Sequence, residues 1–256
     1  FTEDQLKTNV QTKDSWLLAP KPLQIDIVDD DVASLGQFYR NMGYLDVRVD
    51  RVVTPSPDAS EAIVTFVVDE GPADTLRSTR VIFVDGELGA TEELESRVGV
   101  FTREQIDGLM IAKPGDVYSE QRLRRSQEAI EAAYGSLGYA DMRVQRRDVR
   151  DGAKPEVDVL FIIRQGQAFR VGEVLIQGNS HTLDKVVRRE LDGVQPDRPV
   201  NPQAIKESER LLLRSGRFGQ GTETKPGDPA TITIQPEDPA NPGYRDVLVT
   251  VSETNT

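Results

Sequence analysis

The sequence predicts an α+β protein built from tandem β-α-α-β-β units, each a three-stranded mixed sheet packed on two antiparallel helices. Three observations carry this. First, the stretch 118–166 reads as a helix, a glycine break and a strand hairpin, and sliding it back 95 positions lands it on a related stretch without a gap. Gly43-Tyr44 then falls on Gly138-Tyr139, Phe66-Val67-Val68 on Phe161-Ile162-Ile163, and Gly71 on Gly166. Helix end, turn and hairpin matching in register mark an internal repeat. Second, FTEDQLKTNVQTKDSW at 1–16 is matched by FTREQIDGLMIAKPGD at 101–116. Third, GEVLIQGNSHTLDKVVRREL at 172–191 opens a third unit with a strand and a Gly-Asn turn. The expected boundaries are 1–72, 73–167 and 168–256. The first unit is expected to lack its opening strand, the second to carry an insertion near 87–100, and the third to end in a long hairpin.

Each element has a local reason. Residues 1–12 read as a helix capped by Thr2, with Glu3 and Asp4 at its positive end. A loop with two prolines follows. Asp29, Asp30 and Asp31 are expected to open a second helix carrying Leu35, Phe38, Tyr39 and Met42 on one side, with Gly43 as its stop. Strands are expected at 45–53 and 62–68, joined by a turn at Pro55-Ser56-Pro57-Asp58.

The second unit starts with a strand at 80–84. Lys113-Pro114-Gly115-Asp116 is a turn, and Ser119 caps a helix whose inner face carries Leu123, Ile130, Tyr134 and Leu137. Strands at 141–147 and 157–163 close it. In the third unit a strand at 174–176 leads to a helix capped by Thr182 and bearing Val186, Val187 and Leu191. Asn201-Pro202 starts the next helix, with proline where its missing N–H costs nothing. Ile205 and Leu212 face inward and Gly216 ends the helix. The last strand is expected at 246–251; its partner is either 221–225 or 231–235. Two antiparallel helices return the chain so that the last strand of each hairpin lies parallel to the opening strand, at the centre. The penultimate strand is left at an edge.

Composition narrows the function classes. The 256 residues carry a net charge of −12, which argues against a nucleic-acid surface. The basic run 122–125 lies on a helix and reads as a solvated face. There is no cysteine, so disulfides and cysteine metal sites are excluded. No apolar run approaches the roughly 18 residues that cross a bilayer. The chain begins at Phe1 without a signal-peptide pattern and reads as a piece of something longer.

Enzyme signatures are scarce. His181 is the single histidine, in the turn before a helix and aligned with Phe1 and Phe101, and reads as a surface residue. The triplet 29–31 lacks the spacing of a calcium loop and reads as helix capping. Gly219-Gln220-Gly221 follows a helix and does not open one, so it is no phosphate loop. KPGD recurs at 225–228 as a turn.

Backbone chemistry remains. The predicted edge strands 45–53 and 141–147 expose unpaired N–H and C=O groups, and such an edge accepts an extended peptide as an added strand. The candidate residues are Asp46, Val47, Val49 and Val52 in one unit, and Met142, Val144 and Arg146 in the next. The opposing reading is that Arg48, Asp50 and Arg51, with Arg143, Arg146 and Arg147, are gatekeepers that keep the edges unpaired. Gly71, Pro72 and Gly166 lie between units and are candidate hinges.

The order β-α-α-β-β at this repeat length resembles the POTRA domains of BamA-type outer-membrane protein assembly factors. The resemblance rests on the "FT…Lys" helix starts at Phe1 and Phe101 and the Gly-Asn turn at 178–179. It also rests on the GY helix ends at 43–44 and 138–139, GRF at 216–218, and the strand ends VVDEG, IIRQG and VSET. It covers nearly the whole chain. The insertion at 87–100 and the long third hairpin depart from it. It implies a non-enzymatic periplasmic array, without a cofactor, that receives unfolded outer-membrane protein precursors by edge-strand addition and docks accessory assembly proteins. It also implies attachment to the membrane through a C-terminal barrel outside this chain. Alternatives are the POTRA region of a translocation system (two-partner secretion or TamA-like), that of a cell-division protein, and a calcium-dependent surface-binding module.

Overall fold

The computed structural model describes residues 1–12, 23–57, 61–84, 99–150, 152, 154–218 and 230–253. The elements run α1 (Glu3–Lys7), α2 (Ile25–Asn41), β1 (Arg48–Pro55), β2 (Ala62–Asp69), β3 (Thr75–Phe83), α3 (Arg103–Leu109) and α4 (Glu120–Ser136). After these come β4 (Arg143–Arg150), β5 (Glu156–Arg164), β6 (Arg170–Gln177), α5 (Asp184–Arg189), α6 (Pro202–Arg214), β7 (Thr231–Ile234) and β8 (Tyr244–Thr250). They form three sheets, ordered β1-β2, β3-β5-β4 and β6-β8-β7. The α+β class holds, and the hairpin's last strand is central wherever an opening strand is present. In the third sheet β8 pairs parallel with β6 and antiparallel with β7, so the sheet is mixed.

By proximity the chain divides into two units. One is Phe1–Arg80 with Met110–Ser126 and Arg146–Leu160; the other is Val81–Leu109 with Gln127–Gln145 and Phe161–Thr256.

In the first unit, α1 is shorter than the sequence predicts. Thr2 and Gln5 form the reciprocal cap at its start. The Thr8 hydroxyl and the Asn9 amide both turn back to the Gln5 carbonyl, so the chain leaves the helix there. Helix α2 begins at Ile25, four residues before the aspartates expected to open it. Asp29 pairs with Arg51 at 2.6 Å. Asp31 is buried, and its carboxylate accepts the Gln11 and Thr12 N–H groups at 2.6 and 2.9 Å. The capping assignment is therefore wrong for α2: Asp31 fastens the segment after α1, and the three carboxylates do not share one partner.

The same position in α4 is Ser126, also buried, whose hydroxyl accepts from Ile111 and Ala112 N–H at 2.9 and 3.2 Å. In α6 it is Ser208, which donates to the Asp192 carbonyl. A polar group inside each second helix thus ties down the end of the first. Buried backbone donors need such partners, because leaving one unpaired is costly.

Leu35 and Tyr39 are buried as predicted, but Met42 is 45 % exposed, and Leu137, its equivalent in the next repeat, 46 %. Both sit past the last helical residue, in the turn before a glycine, where the helical spacing no longer applies. Strand β3 starts at Thr75 and not at residue 80. Its first half reads as polar because it carries Arg77, Ser78 and Thr79, yet Leu76 is buried.

In the second unit, Phe101 meets Tyr134 edge-to-face at 4.9 Å, much as Phe1 meets Tyr39 at 5.0 Å in the first. Helix α5 is capped at Leu183 without a side-chain bond, so Thr182 is not its cap. Asn201 does cap α6, accepting from Gln203 and Ala204 N–H, with Pro202 behind it. Val171, Val174, Val187, Leu191, Leu212 and Val247 fill one core between sheet and helices. Each such side chain contributes about 1.5–3 kcal/mol by leaving water. The partner of β8 is β7, which settles the choice between the two predicted segments. The expected insertion (all but its last two residues), the 221–225 segment, the second KPGD turn and Gly219-Gln220-Gly221 lie outside the described residues.

Candidate sheet-edge binding sites

A strand at an edge offers its backbone only if nothing else pairs with it. The opening strands fail this test. The turn ahead of α4 runs along β3, where Leu76 N–H donates to the Asp116 carbonyl at 2.8 Å and Gly115 N–H to the Leu76 carbonyl at 2.7 Å. The turn ahead of α6 does the same to β6: Val171 N–H donates to the Arg198 carbonyl and Asp197 N–H to the Val171 carbonyl. Of the strands that lead each hairpin, β4 and β7 lie at the opposite edges of their sheets from β3 and β6, and β1 is an edge of a two-stranded sheet.

Strand β1 pairs with β2 from Arg48↔Asp69 to Pro55↔Ala62. One face, Val49, Arg51 and Val53, is half-buried, and the other is exposed, with Val52, Val67 and Ile63 on it. Along this strand Asp50 accepts the Arg51 N–H at 2.7 Å, so that donor is engaged by a neighbouring side chain. In β4 the Gln127 amide donates to the Val144 carbonyl at 3.3 Å.

The candidate residues divide by this geometry. Val47, Met142 and Val144 are buried, and Val49 faces inward. Val52 is exposed. Arg146 bridges Glu120 at 2.6 Å and Asp148 at 2.9 Å. Arg146 holds the Glu120 carboxyl below the usual carboxylate range. Tyr118 donates to Asp148 at 2.7 Å, and burial, followed by that bond, pushes its hydroxyl up. Asp46 lies just ahead of β1 and is held by Arg150. Gly71 and Gly166 have φ of +66° and +70°. What the edges offer is therefore main chain, with Val52 as the one exposed apolar candidate side chain.

His181 is 91 % exposed at its side chain, but its loop is fixed. Glu253 accepts the His181 N–H at 2.9 Å and the Thr182 N–H at 2.6 Å, and its Oε2 lies 3.0 Å from His181 Nδ1. Hydrogen bonds from Thr182 and then His181 hold the Glu253 carboxyl at about 2. Sequence reasoning missed this role, although Gln165, one repeat earlier, accepts the Val100 N–H in the same way. Among the described residues, no three His, Cys, Asp or Glu side chains converge to hold a metal ion. No helix of the described residues is long and apolar enough to cross a membrane.

Repeat order, sheet topology and open hairpin edges define a tandem array of one domain type, and the chain belongs to the POTRA family. That family's sequence model, "Surface antigen variable number repeat", matches residues 1–71, 80–166 and 169–253. The chain is 29 % identical over 244 residues to the outer membrane protein assembly factor BamA of Nitratidesulfovibrio vulgaris, covering 94 % of this chain and 28 % of that protein. It is 25 % identical over 205 residues to BamA of Neisseria meningitidis serogroup B, covering 80 % of this chain and 24 % of the relative. The chain thus spans about a quarter of the length of these relatives. Among solved structures, the POTRA3-5 region of Haemophilus influenzae BamA superposes with a TM-score of 0.62 at 22 % identity, covering 99 % of this chain and 91 % of that one. That likeness concerns the fold.

Proposed function

We propose that this chain is the periplasmic part of an outer-membrane protein assembly factor. It acts by binding, without catalysis or a cofactor, and receives unfolded barrel precursors by strand addition at its hairpin edges. Accessory assembly proteins dock on the same array. The observation that carries the reading is the asymmetry of the edges: turns cover β3 and β6, while β4 and β7 lie at the opposite edges of those sheets and β1 is an edge of its own two-stranded sheet. Main-chain pairing is indifferent to side-chain identity, which suits a receptor for many different β-strands. The names of the similar proteins agree with it. Of the two edges, β1 is the better acceptor. The Gln127 amide already occupies a β4 carbonyl, whereas on β1 the engaged donor is held only by the side chain of its neighbour Asp50.

The test is an NMR titration of the protein with peptides copied from outer-membrane β-strands, against scrambled and proline-bearing controls. Amide shifts confined to residues 48–55, or to 143–150, and lost with the proline peptides are expected. Asp50→Ala should tighten binding at β1 by a few-fold. An absence of shifts at millimolar peptide would refute strand addition.

A further inference from the structure

One side-chain motif recurs between successive family matches, at equivalent positions and with altered chemistry. Asp46 follows the helix-ending glycine of the first match, and Arg150 closes β4 in the second. Arg150 Nη1 and Nη2 donate to the two Asp46 oxygens at 2.5 and 2.6 Å. Its Nε donates to Asp74 at 2.8 Å, and Asp74 is buried. Asp74 lies on the connection between the two matches. Its N–H donates to the Gly43 carbonyl at 2.7 Å, and its own carbonyl accepts from Tyr118 N–H at 2.9 Å.

The second junction repeats each part. Arg245 donates to the two Asp141 oxygens at 3.0 and 2.5 Å. Phe169 N–H donates to the Gly138 carbonyl, and its carbonyl accepts from Val200 N–H, both at 2.9 Å. Where the first junction has the Asp74 carboxylate, the second has the Phe169 ring, and the Arg245 guanidinium lies over it at 3.8 Å. The left-handed glycines stand beside the same aspartates: Gly71 faces Asp46 and Gly166 faces Asp141.

We infer that Arg150 and Arg245 are latches, each fastening one repeat to the one before it through a two-pronged bond to an aspartate and a third contact with the chain entering the next repeat. This goes beyond the proposed binding function. Arginine's planar fork suits the role, because it grips a carboxylate in one orientation while a second side of the same plane meets another group. The left-handed glycines turn the chain past the aspartate, and their freedom to hinge is expressed only when the arginine lets go. The latches differ in kind. Losing Arg150 strands a buried carboxylate, whereas losing Arg245 uncovers a ring.

The absence of cysteine allows a direct test. Spin labels at Ser34→Cys on α2 and Arg125→Cys on α4 report on the first junction by pulsed electron resonance. The intact protein should give one narrow distance distribution. Asp46→Asn, which removes the exposed prong without stranding a buried charge, should widen it about 1.5-fold. Arg150→Ala should widen it at least twofold, and Arg150→Lys should not restore the narrow peak. Circular dichroism at the same temperature checks that each variant is folded. If Asp46→Asn and a folded Arg150→Ala both keep the original width, the latch does not exist. If Arg150→Ala is unfolded, unchanged width in Asp46→Asn alone overturns it.

Discussion

Replacing Ser126 with alanine tests the idea that a polar group inside the second helix secures the end of the first. The hydroxyl accepts from two backbone N–H groups and donates to the Arg122 carbonyl at 2.9 Å. That carbonyl belongs to a helix, so its loss of a second donor costs little. The Ala112 N–H is buried and left without a partner, a penalty of about 1–3 kcal/mol. The Ile111 N–H is partly exposed, so water recovers some of its loss and about 0.5–1 kcal/mol is the fair share. The total is about 1.5–4 kcal/mol, or roughly 3–16 °C in melting temperature for a chain of this size. Thermal melting followed by circular dichroism gives the global number. Native-state hydrogen exchange gives the local one, with the Ile111 and Ala112 amides losing protection before the strand amides do. A loss below about 0.5 kcal/mol with Ala112 protection unchanged would refute the assignment.

Two further outcomes follow from the geometry. Glu253 has its carboxyl held at about 2 in the folded protein, below the ordinary value near 4.3. The stability it contributes is therefore complete above the unfolded value and is lost as pH falls towards 2. In a His181→Ala background, Glu253→Gln should melt below its parent at pH 7, with the gap closing by about pH 2; a gap constant across that range would sink the assignment. Separately, Gly138→Ala and Gly115→Ala both force a side chain onto a positive φ, at +95° and +92°, costing about 1–2 kcal/mol. Only at Gly138 would the new Cβ also meet a backbone oxygen, that of Phe169, while Gly115 faces open space. Gly138→Ala should therefore destabilise the protein by at least about 1 kcal/mol more, and equal melting temperatures would show that the close approach carries no cost.

What could be read in the sequence is what repetition makes visible. The hairpin strands, the glycine helix stops and the central place of the last strand all follow from patterns that occur two or three times, while the Asn201-Pro202 cap follows from a local rule that holds there. The errors fall where a local rule was applied to a residue serving a distant one. The aspartate triplet resembled a helix start because carboxylates favour that end, yet Asp31 serves the segment after α1. Thr182 resembled a cap, yet its N–H serves Glu253. Strand β3 starts five residues before its alternation becomes legible, because its first half is mostly polar. The latch arginines were missed although Arg150 and Arg245 obey the same spacing as Asp46 and Asp141. They carry no apolar pattern, and a single arginine closing a polar strand gives no sign of what it reaches across the fold.

The repeats keep positions more faithfully than chemistry. The buried holder in the second helix is a carboxylate in Asp31 and a hydroxyl in Ser126 and Ser208. The acceptor after the last strand is Gln165 in one repeat and Glu253 in another, both receiving backbone N–H groups at the start of a helix pair. The third contact of the latch is a carboxylate in Asp74 and a ring in Phe169. In nearly every case the constraint is a fixed donor that must be met: a backbone N–H for Asp31, Ser126, Gln165 and Glu253, a guanidinium for the latch, with Ser208 the exception in donating to a backbone carbonyl. Any acceptor of suitable reach satisfies it, so these sites can exchange residue types while the fold and its junctions stay in place. The proposed use of the hairpin edges makes the opposite demand: strand addition requires backbone groups that stay open for a partner strand. On that proposal the array uses the same hydrogen-bonding groups in two ways, saturated at the junctions and held in reserve along the edges.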